Sequence, residues 1–423
     1  MARGDRVAYL GYNESHMLVL LFALARAGAI LVPLNWRLTA AEHRAILEDC
    51  RPCYLVAEKD FATHAGTLGV PLRPPPDAPP SAIDGTDADD VLIVYTSGTT
   101  GRPKGAVLTQ SALFWNALNG IHAHDLGQTD HVLTALPMFH VGGLNNQTLP
   151  ALLAGATVTL HRRFDPALWL ADVGARRPTI SLLVPATIQA VISHPAWAST
   201  DLSSLKMLNA GSMVVPDSLI RAFHARGVPV GQIYGCTETA PIATVLLKED
   251  AERKRGSAGK PAAHCEVRLV EGEVQVRGPN LMRGYWNDPK ATEGAFASGG
   301  WFRTGDLGRL DEDGFLWIMG RSKDVIISGG ENVYPAELEN VLADCPAIAE
   351  AAVVGIADPK WGEAACACIV RRHPIDEIAV LALFRERLAK FKHPRRVVFL
   401  DALPRNAMGK VQKFDLKRLL ESG

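Results

Sequence analysis

The apolar run Val91-Leu-Ile-Val-Tyr95 passes without interruption into Thr96-Ser97-Gly98-Thr99-Thr100-Gly101-Arg102-Pro103-Lys104-Gly105. The run reads as a buried strand. The residues after it are the opposite of core. Hydroxyl donors crowd together with a lysine, and glycines stand where backbone must approach a ligand closely. Amide and hydroxyl donors directly after a buried strand, together with Lys104, make a phosphate cradle, with a plain polar surface loop as the competing reading. A Walker A loop would need its lysine followed at once by Ser or Thr. Gly105 occupies that place, so the P-loop reading fails.

Elsewhere, short apolar runs alternate with helical patterns through the middle of the chain, which implies an α/β architecture. With 423 residues the chain exceeds one ordinary core. Met17–Leu34 is apolar enough to raise the question of a membrane span, but Arg26 interrupts it. Gly28 then reads as a helix C-cap before a short buried strand from Ala29 to Val32, so a helix–strand unit is expected and no integral membrane segment. Pro71–Asp90 lacks periodicity and reads as an exposed connector. Near the C-terminus, Trp301–Leu310 and Phe315–Met319 flank Asp313-Gly314, a hairpin signal. Beyond Arg321, Ala351–Val354 as strand and Ile378–Lys390 as helix suit a small α+β domain. Lys plus Arg (44) nearly balance Asp plus Glu (45), which argues against a nucleic-acid partner. Seven cysteines without framework spacing suit a reducing compartment, with the cytoplasm as default. Cys50-Arg-Pro-Cys53 has no second pair to complete a metal site. His122 and His124 read as part of an exposed turn.

Four later segments join the loop in a fixed order: Tyr234-Gly-Cys-Thr-Glu-Thr239, Trp301-Phe-Arg-Thr-Gly-Asp306, Gly320-Arg-Ser-Lys-Asp324 with Ser328-Gly-Gly-Glu-Asn-Val-Tyr-Pro335, and Pro404-Arg-Asn-Ala-Met-Gly-Lys410. With the Gly/Thr-rich loop they resemble the signatures of the acyl-adenylate-forming superfamily, in its acyl-CoA synthetase branch. The resemblance implies a large multi-lobed N-terminal α/β domain, residues 1–321, and a small mobile C-terminal α+β domain, residues 322–423. Relative to that family the large domain is short at its N-terminus, and the connector is short as well.

The resemblance also implies a reaction. A carboxylic acid attacks the α-phosphorus of ATP, giving acyl-AMP and pyrophosphate, and the acyl group then passes to coenzyme A. Thr96, Ser97, Gly98, Thr99, Thr100, Gly101 and Lys104 are the phosphate loop. Tyr234 matches the residue that stacks on adenine, Thr237 the contact to the α-phosphate, and Glu238 a ligand of Mg²⁺, which prefers hard oxygen donors. Standing alone, Thr237-Glu238 reads equally well as a helix-capping pair. Asp306, expected between a strand and a turn, corresponds to the acceptor for the ribose hydroxyls. Arg321 is a further nucleotide contact and Lys323 the interdomain hinge. Lys410 matches the lysine that stabilises the adenylation transition state. Gly329 and Gly330 match the residues that admit the thiol arm of coenzyme A.

For the acid, the resemblance points to His140, in Phe139-His-Val-Gly-Gly143, and to Ala210, Gly211, Ser212 and Cys236, surrounded by Val184, Pro185, Ile188, Pro241 and Ile242. These stretches hold no Arg or Lys to pair with a second carboxylate, which disfavours a malonate-type acid. A medium- or long-chain fatty acid is the leading expectation. The alternatives are an aryl acid, the malonyl-type acid that the missing cation disfavours, and an enzyme that loads a carrier protein. The basic run Lys390–Arg396 reads as a solvated face, placed where it could also meet the phosphates of coenzyme A. Oligomeric state is not legible.

Overall fold

Met17–Leu34 folds as the helix Ser15–Arg26 followed by the strand Ile30–Leu34. Gly28 adopts φ +65°, and the chain closes a Schellman motif: Gly28 N donates to Ala25 O (3.2 Å) and Ala29 N to Leu24 O (2.8 Å). One face of the helix, including Met17, Leu20, Leu21 and Leu24, is buried. The strand is buried throughout, hydrogen-bonded in parallel to Arg6–Leu10 and Asp90–Thr96.

The structure is a computed structural model that describes residues 1–73, 85–96, 103–213, 215–405 and 411–422. The chain divides into two compact units, one of Met1–Met213, Ala222–Arg268 and Gln275–Thr304, the other of Val214–Arg221, Leu269–Val274 and Gly305–Gly423. The division falls inside the strand Trp301–Leu310. Among the described residues, no helix is long and apolar enough to cross a membrane.

The large unit is built on two seven-stranded sheets among its described residues. In the first, the strands Arg6–Leu10, Ile30–Leu34, Tyr54–Ala57 and Asp90–Thr96 run parallel, while Lys104–Thr109 returns antiparallel to the last of them. In the second, His131–Thr134, Ile180–Leu183, Met207–Gly211 and Val230–Tyr234 form a parallel set, bordered by the antiparallel Thr244–Leu246. Consecutive parallel strands must be joined by crossovers, and helices such as Gln110–His124, Pro166–Arg176 and Pro185–Ile192 accompany them.

In the small unit, Ile348–Asp358 and Gly362–Arg371 form a long hairpin. Ile326–Ser328 and Arg396–Phe399 also pair with Gly362–Arg371, and the helices Pro335–Ala343 and Lys413–Ser422 accompany the sheet. Its core holds Ile326, Leu338, Leu342, Val353, Ile369 and Phe384. The hairpin signalled by Asp313-Gly314 is present, with Gly314 at φ +80° and its N–H donated to Asp311 O (2.9 Å). The helix expected over Ile378–Lys390 is shorter, Glu377–Ala382, and the chain after it proceeds in turns.

One sequence expectation is corrected. His122 and His124 belong to the last turn of the helix Gln110–His124, and His124 is fully buried. The expected connector Pro71–Asp90 lies partly outside the described residues. Its described end is pinned, Gly85 N donating to Arg26 O (3.0 Å) and Asp89 pairing with Arg3 (2.5 Å).

The Schellman turn gives a direct test. A Cβ at Gly28 would lie 2.9 Å from Arg3 Cγ and would hold a left-handed backbone. Gly28→Ala is therefore expected to destabilise the protein by about 1–2 kcal/mol. Chemical denaturation would register it as a lower midpoint at unchanged slope, and an unshifted midpoint would show that the turn tolerates a side chain.

Candidate active site

In an open parallel sheet, ligands collect beyond the carboxyl ends of the strands, where several chains turn away together. In the second sheet those ends lead into the segments expected from sequence. His131–Thr134 leads to Phe139 and His140, Ile180–Leu183 to Val184 and Pro185, Met207–Gly211 ends on Ala210 and Gly211, and Val230–Tyr234 on Tyr234. The fold thus brings together the ends of chain segments far apart in sequence.

Beneath this edge runs a polar chain that ties helix to strand. His124 Nε2 lies 2.8 Å from the Asn146 backbone carbonyl, which only accepts, so Nε2 carries the proton. Nδ1 then accepts from Asn209 Nδ2 at 2.7 Å. Burial lowers the His124 pKa to about 4, which keeps the ring neutral and this arrangement intact at neutral pH. Asn209 immediately precedes Ala210, so the network braces the strand end on which the acid is expected to rest.

His140 is neutral as well. Burial lowers its pKa to about 4, and its Nδ1 accepts from Gly142 N (3.0 Å), which leaves the proton on Nε2. A Cβ built on Gly142 would come within 3.9 Å of Ser212 Oγ, so His140, Gly142 and Ser212 are neighbours. Ser212 itself takes φ +66° as the chain leaves its strand. Arg37, which the sequence does not connect to this group, lies outside these stretches with its guanidinium 4.8 Å from the Trp36 ring and 5.9 Å from that of Phe139.

After Tyr234 the chain makes a tight turn into the 3₁₀ helix Thr237–Thr239. Cys236 N donates to Thr239 Oγ1 (3.0 Å), which caps the turn; the capping role belongs to Thr239, while the neighbouring Glu238 carboxylate reaches elsewhere. Glu238 is half-buried, and one of its oxygens accepts from the Tyr285 hydroxyl at 2.8 Å. Its backbone carbonyl accepts from Met282 N, also at 2.8 Å. Tyr285 carries no signal in the sequence, since its partner lies 47 residues away. The Lys104 ammonium sits 5.2 Å from the centre of the Tyr285 ring. Thr96 and Lys104 face each other across the antiparallel pair that flanks the expected phosphate loop, the Thr96 hydroxyl donating to the Lys104 carbonyl (3.3 Å). Ser97, Gly98, Thr99, Thr100 and Gly101 lie outside the described residues, as does Lys410.

The small unit holds its own group. Asp306 lies inside the strand Trp301–Leu310, not between a strand and a turn, and is largely buried. It stands opposite Arg321 in the antiparallel register and binds its Nε at 2.8 Å. Two nucleotide contacts expected separately are thus ion-paired partners. Lys323 is exposed in the short 3₁₀ helix Ser322–Asp324. Gly329 and Gly330 form the turn between Ile326–Ser328 and Glu331–Val333, with φ +62° and +87°, a pairing that a tight hairpin turn demands. A Cβ on Gly329 would lie 2.5 Å from Trp361, whereas Gly330 faces open space. The basic run is tethered: Lys392 pairs with Glu337 (2.6 Å), and the Arg395 guanidinium lies 4.7 Å from the Trp361 ring.

Comparison with known proteins agrees with this layout. Residues 1–286 match the family model of the AMP-binding enzyme, and residues 337–410 that of the AMP-binding enzyme C-terminal domain. The chain is 49% identical to an indoleacetate–CoA ligase of Aromatoleum aromaticum, across 99% of this chain and 89% of the relative. It is 43% identical to a feruloyl-CoA synthase of an Amycolatopsis species, across 98% and 89%. Among solved structures it resembles the o-succinylbenzoate CoA synthetase of Bacillus subtilis in complex with its acyl-adenylate intermediate, with TM-score 0.90, 34% identity, and 99% and 89% of the two chains covered. The same enzyme in complex with ATP and a magnesium ion matches with TM-score 0.89, 33% identity, and 99% and 90% coverage. With matches that run the length of the chain and reach both units, this protein belongs to the AMP-binding enzyme family.

Proposed function

We propose that this protein is an ATP-dependent acid–CoA ligase whose acid is an aromatic monocarboxylate. The observation that carries the reading is identity to relatives named for indoleacetate and ferulate, together with strand-end stretches, residues 139–143 and 210–212, that hold no Arg or Lys. That kinship supports the aryl alternative over the fatty acid that the sequence alone places first. Charge counts against dicarboxylates: a neutral His140 with Ala210, Gly211 and Ser212 supplies no cation for a second carboxylate.

The residues divide the work by chemistry. A carboxylate is a poor electrophile until its oxygen becomes part of a good leaving group, and AMP supplies one. The phosphate loop Thr96–Gly101 with Lys104 binds the phosphates, Tyr234 packs on adenine, and Thr237 meets the α-phosphate. Glu238 suits a Mg²⁺ site. It is an anionic hard-oxygen donor whose carboxylate, among the described residues, is hydrogen-bonded only by the Tyr285 hydroxyl, and Mg²⁺ commonly binds through one or two carboxylates plus phosphates. The ion neutralises phosphate charge when bound. Asp306 accepts from the ribose, with Arg321 holding its carboxylate. Lys410 stabilises charge in the adenylation step, and the Gly329-Gly330 turn gives the thiol of coenzyme A room to reach the acyl group. The mobile small domain is assigned to residues 322–423, with its hinge at Lys323.

Two outcomes are expected. In a pyrophosphate-release screen with coenzyme A present, indole-3-acetate and hydroxycinnamates should exceed both decanoate and succinate in kcat/KM by at least about tenfold. A dicarboxylate at the top would overturn the neutral-pocket reading and make Arg37 the cation to test. Separately, Lys410→Ala should lose about two to three orders of magnitude in acyl-AMP formation. Supplied with synthetic acyl-AMP and coenzyme A, the same variant should make thioester at close to the parent rate. Parallel loss of both half-reactions in a folded variant would contradict a role confined to adenylation.

A further inference from the structure

We propose that Tyr285 is a positioning residue for Glu238: its hydroxyl holds one carboxylate oxygen so that the group is presented, without a counter-charge, to the divalent cation that accompanies ATP. The inference rests on the assignment of Glu238 as the metal ligand and adds to it the residue that aims the ligand.

The geometry begins in the backbone. The segment Met282–Trp286 is hydrogen-bonded on one side to the strand Lys104–Thr109. Gly284 and Tyr285 stand opposite Val107 and Ala106, Arg283 N donates to Val107 O (2.9 Å) and Trp286 N to Gly105 O (2.7 Å). On the other side it reaches the turn Thr237–Thr239, with Met282 N on the Glu238 carbonyl and the Tyr285 hydroxyl on its carboxylate. Glu238 is thus gripped at both ends of the residue by one short piece of chain. Tyr285 is itself fixed, because its N–H is accepted by Thr292 Oγ1 at 2.8 Å, and that hydroxyl donates onward to Asp288 O at 2.9 Å. Gly284 leaves room for this clamp, since a Cβ there would lie 2.6 Å from Thr292 Cγ2.

The choice of donor matters chemically. An unrestrained glutamate samples many rotamers, and a metal site must first select one. A lysine or arginine partner would orient the carboxylate but also neutralise it, in competition with the cation. A phenolic hydroxyl orients without neutralising, through a hydrogen bond strengthened by the acceptor's charge. Glu238 makes no ion pair among the described residues. Lys104, the cation on this side, is held over the face of the Tyr285 ring instead, 5.2 Å from its centre. The same side chain therefore uses its edge for the carboxylate and its face for the phosphate-side lysine.

The experiment measures metal binding apart from turnover. The full chain, saturated with a non-hydrolysable ATP analogue, is titrated with Mn²⁺, and free Mn²⁺ is read by electron paramagnetic resonance. Calorimetric binding of AMP without metal and the thermal unfolding midpoint serve as controls. Tyr285→Phe keeps the ring and removes the donor, so Mn²⁺ should bind about tenfold more weakly, as for other groups that orient metal ligands, with AMP affinity and unfolding unchanged. Tyr285→Leu also removes the face beneath Lys104 and should additionally weaken metal-free binding of the ATP analogue. Glu238→Gln should weaken Mn²⁺ binding at least as much, and adding Tyr285→Phe to it should cost nothing further. Mn²⁺ binding at parent strength in Tyr285→Phe, with Glu238→Gln impaired, would overturn the positioning role alone. A full further loss in the double variant would also overturn it, by showing that Tyr285 acts through another group. Parent-strength binding in Glu238→Gln would remove the metal-ligand assignment itself, and this inference with it.

Discussion

The hydrogen bonds made by residues 282–286 are the join on which the proposed nucleotide side of the large unit depends. The strand Lys104–Thr109 would otherwise leave a row of unpaired amides and carbonyls at the end of its sheet. Covering that edge with Gly284-Tyr285 satisfies the backbone. Because Met282 in the same segment also bonds the Glu238 carbonyl, the cover fastens the first sheet to a turn that leaves the second. The separation between Lys104 and the carboxylate after Tyr234 is therefore set by a few backbone hydrogen bonds, not by two long and independent side chains.

A second constraint acts at the strand ends where the acid is proposed to sit, and it operates by exclusion of charge. His124 lies at the buried end of its helix, where its ring links the Asn146 carbonyl to Asn209. The carbonyl can only accept, so it selects the tautomer, and the tautomer selects which end of the Asn209 amide faces the ring. Protonation would place a second donor against Asn209 Nδ2 and break the chain, and burial opposes that protonation. The strand that ends in Ala210 and Gly211 is thus braced by neutral groups, in a region where an unpaired charge would cost several kcal/mol.

Legibility in the sequence divides along the range of the interaction. Val91–Tyr95 is legible as a buried strand because its apolar side chains are consecutive, Gly28 as a helix stop because only a left-handed residue fits there, and Asp313-Gly314 as a turn for the same reason. The burial of His124 is hidden because a polar pair at a helix end looks like solvent-facing chain, and the residues that satisfy it lie 22 and 85 positions away. Asp306 is recognisable as a candidate and falls within an arm of the signalled hairpin, but its ion pair with Arg321 is set by the register across that hairpin, which no local pattern shows. Tyr285 leaves no trace, for its role depends entirely on contacts made through tertiary folding. Gly329 and Gly330 teach the converse lesson: the residues are visible, yet the hairpin turn alone accounts for their identity, whatever else they admit.

On the proposed reading, the placement of charge reflects what the first half-reaction asks of the acid. The attacking group is itself a carboxylate, and a cation bound tightly to it before the reaction would stabilise the reactant and blunt its attack on phosphorus. A neutral imidazole avoids this. With Nδ1 occupied by Gly142 N, His140 has one donor left, Nε2–H, able to orient an oxygen or meet the face of an aromatic ring without neutralising the acid. Positive charge is useful only where negative charge accumulates in the transition state, at the phosphates, which is the role proposed for Lys104 and Lys410. Selection among acids then rests on shape and apolar contact at the strand ends, which is why kinship to ligases of aryl acids carries more weight for the substrate than any single charged residue.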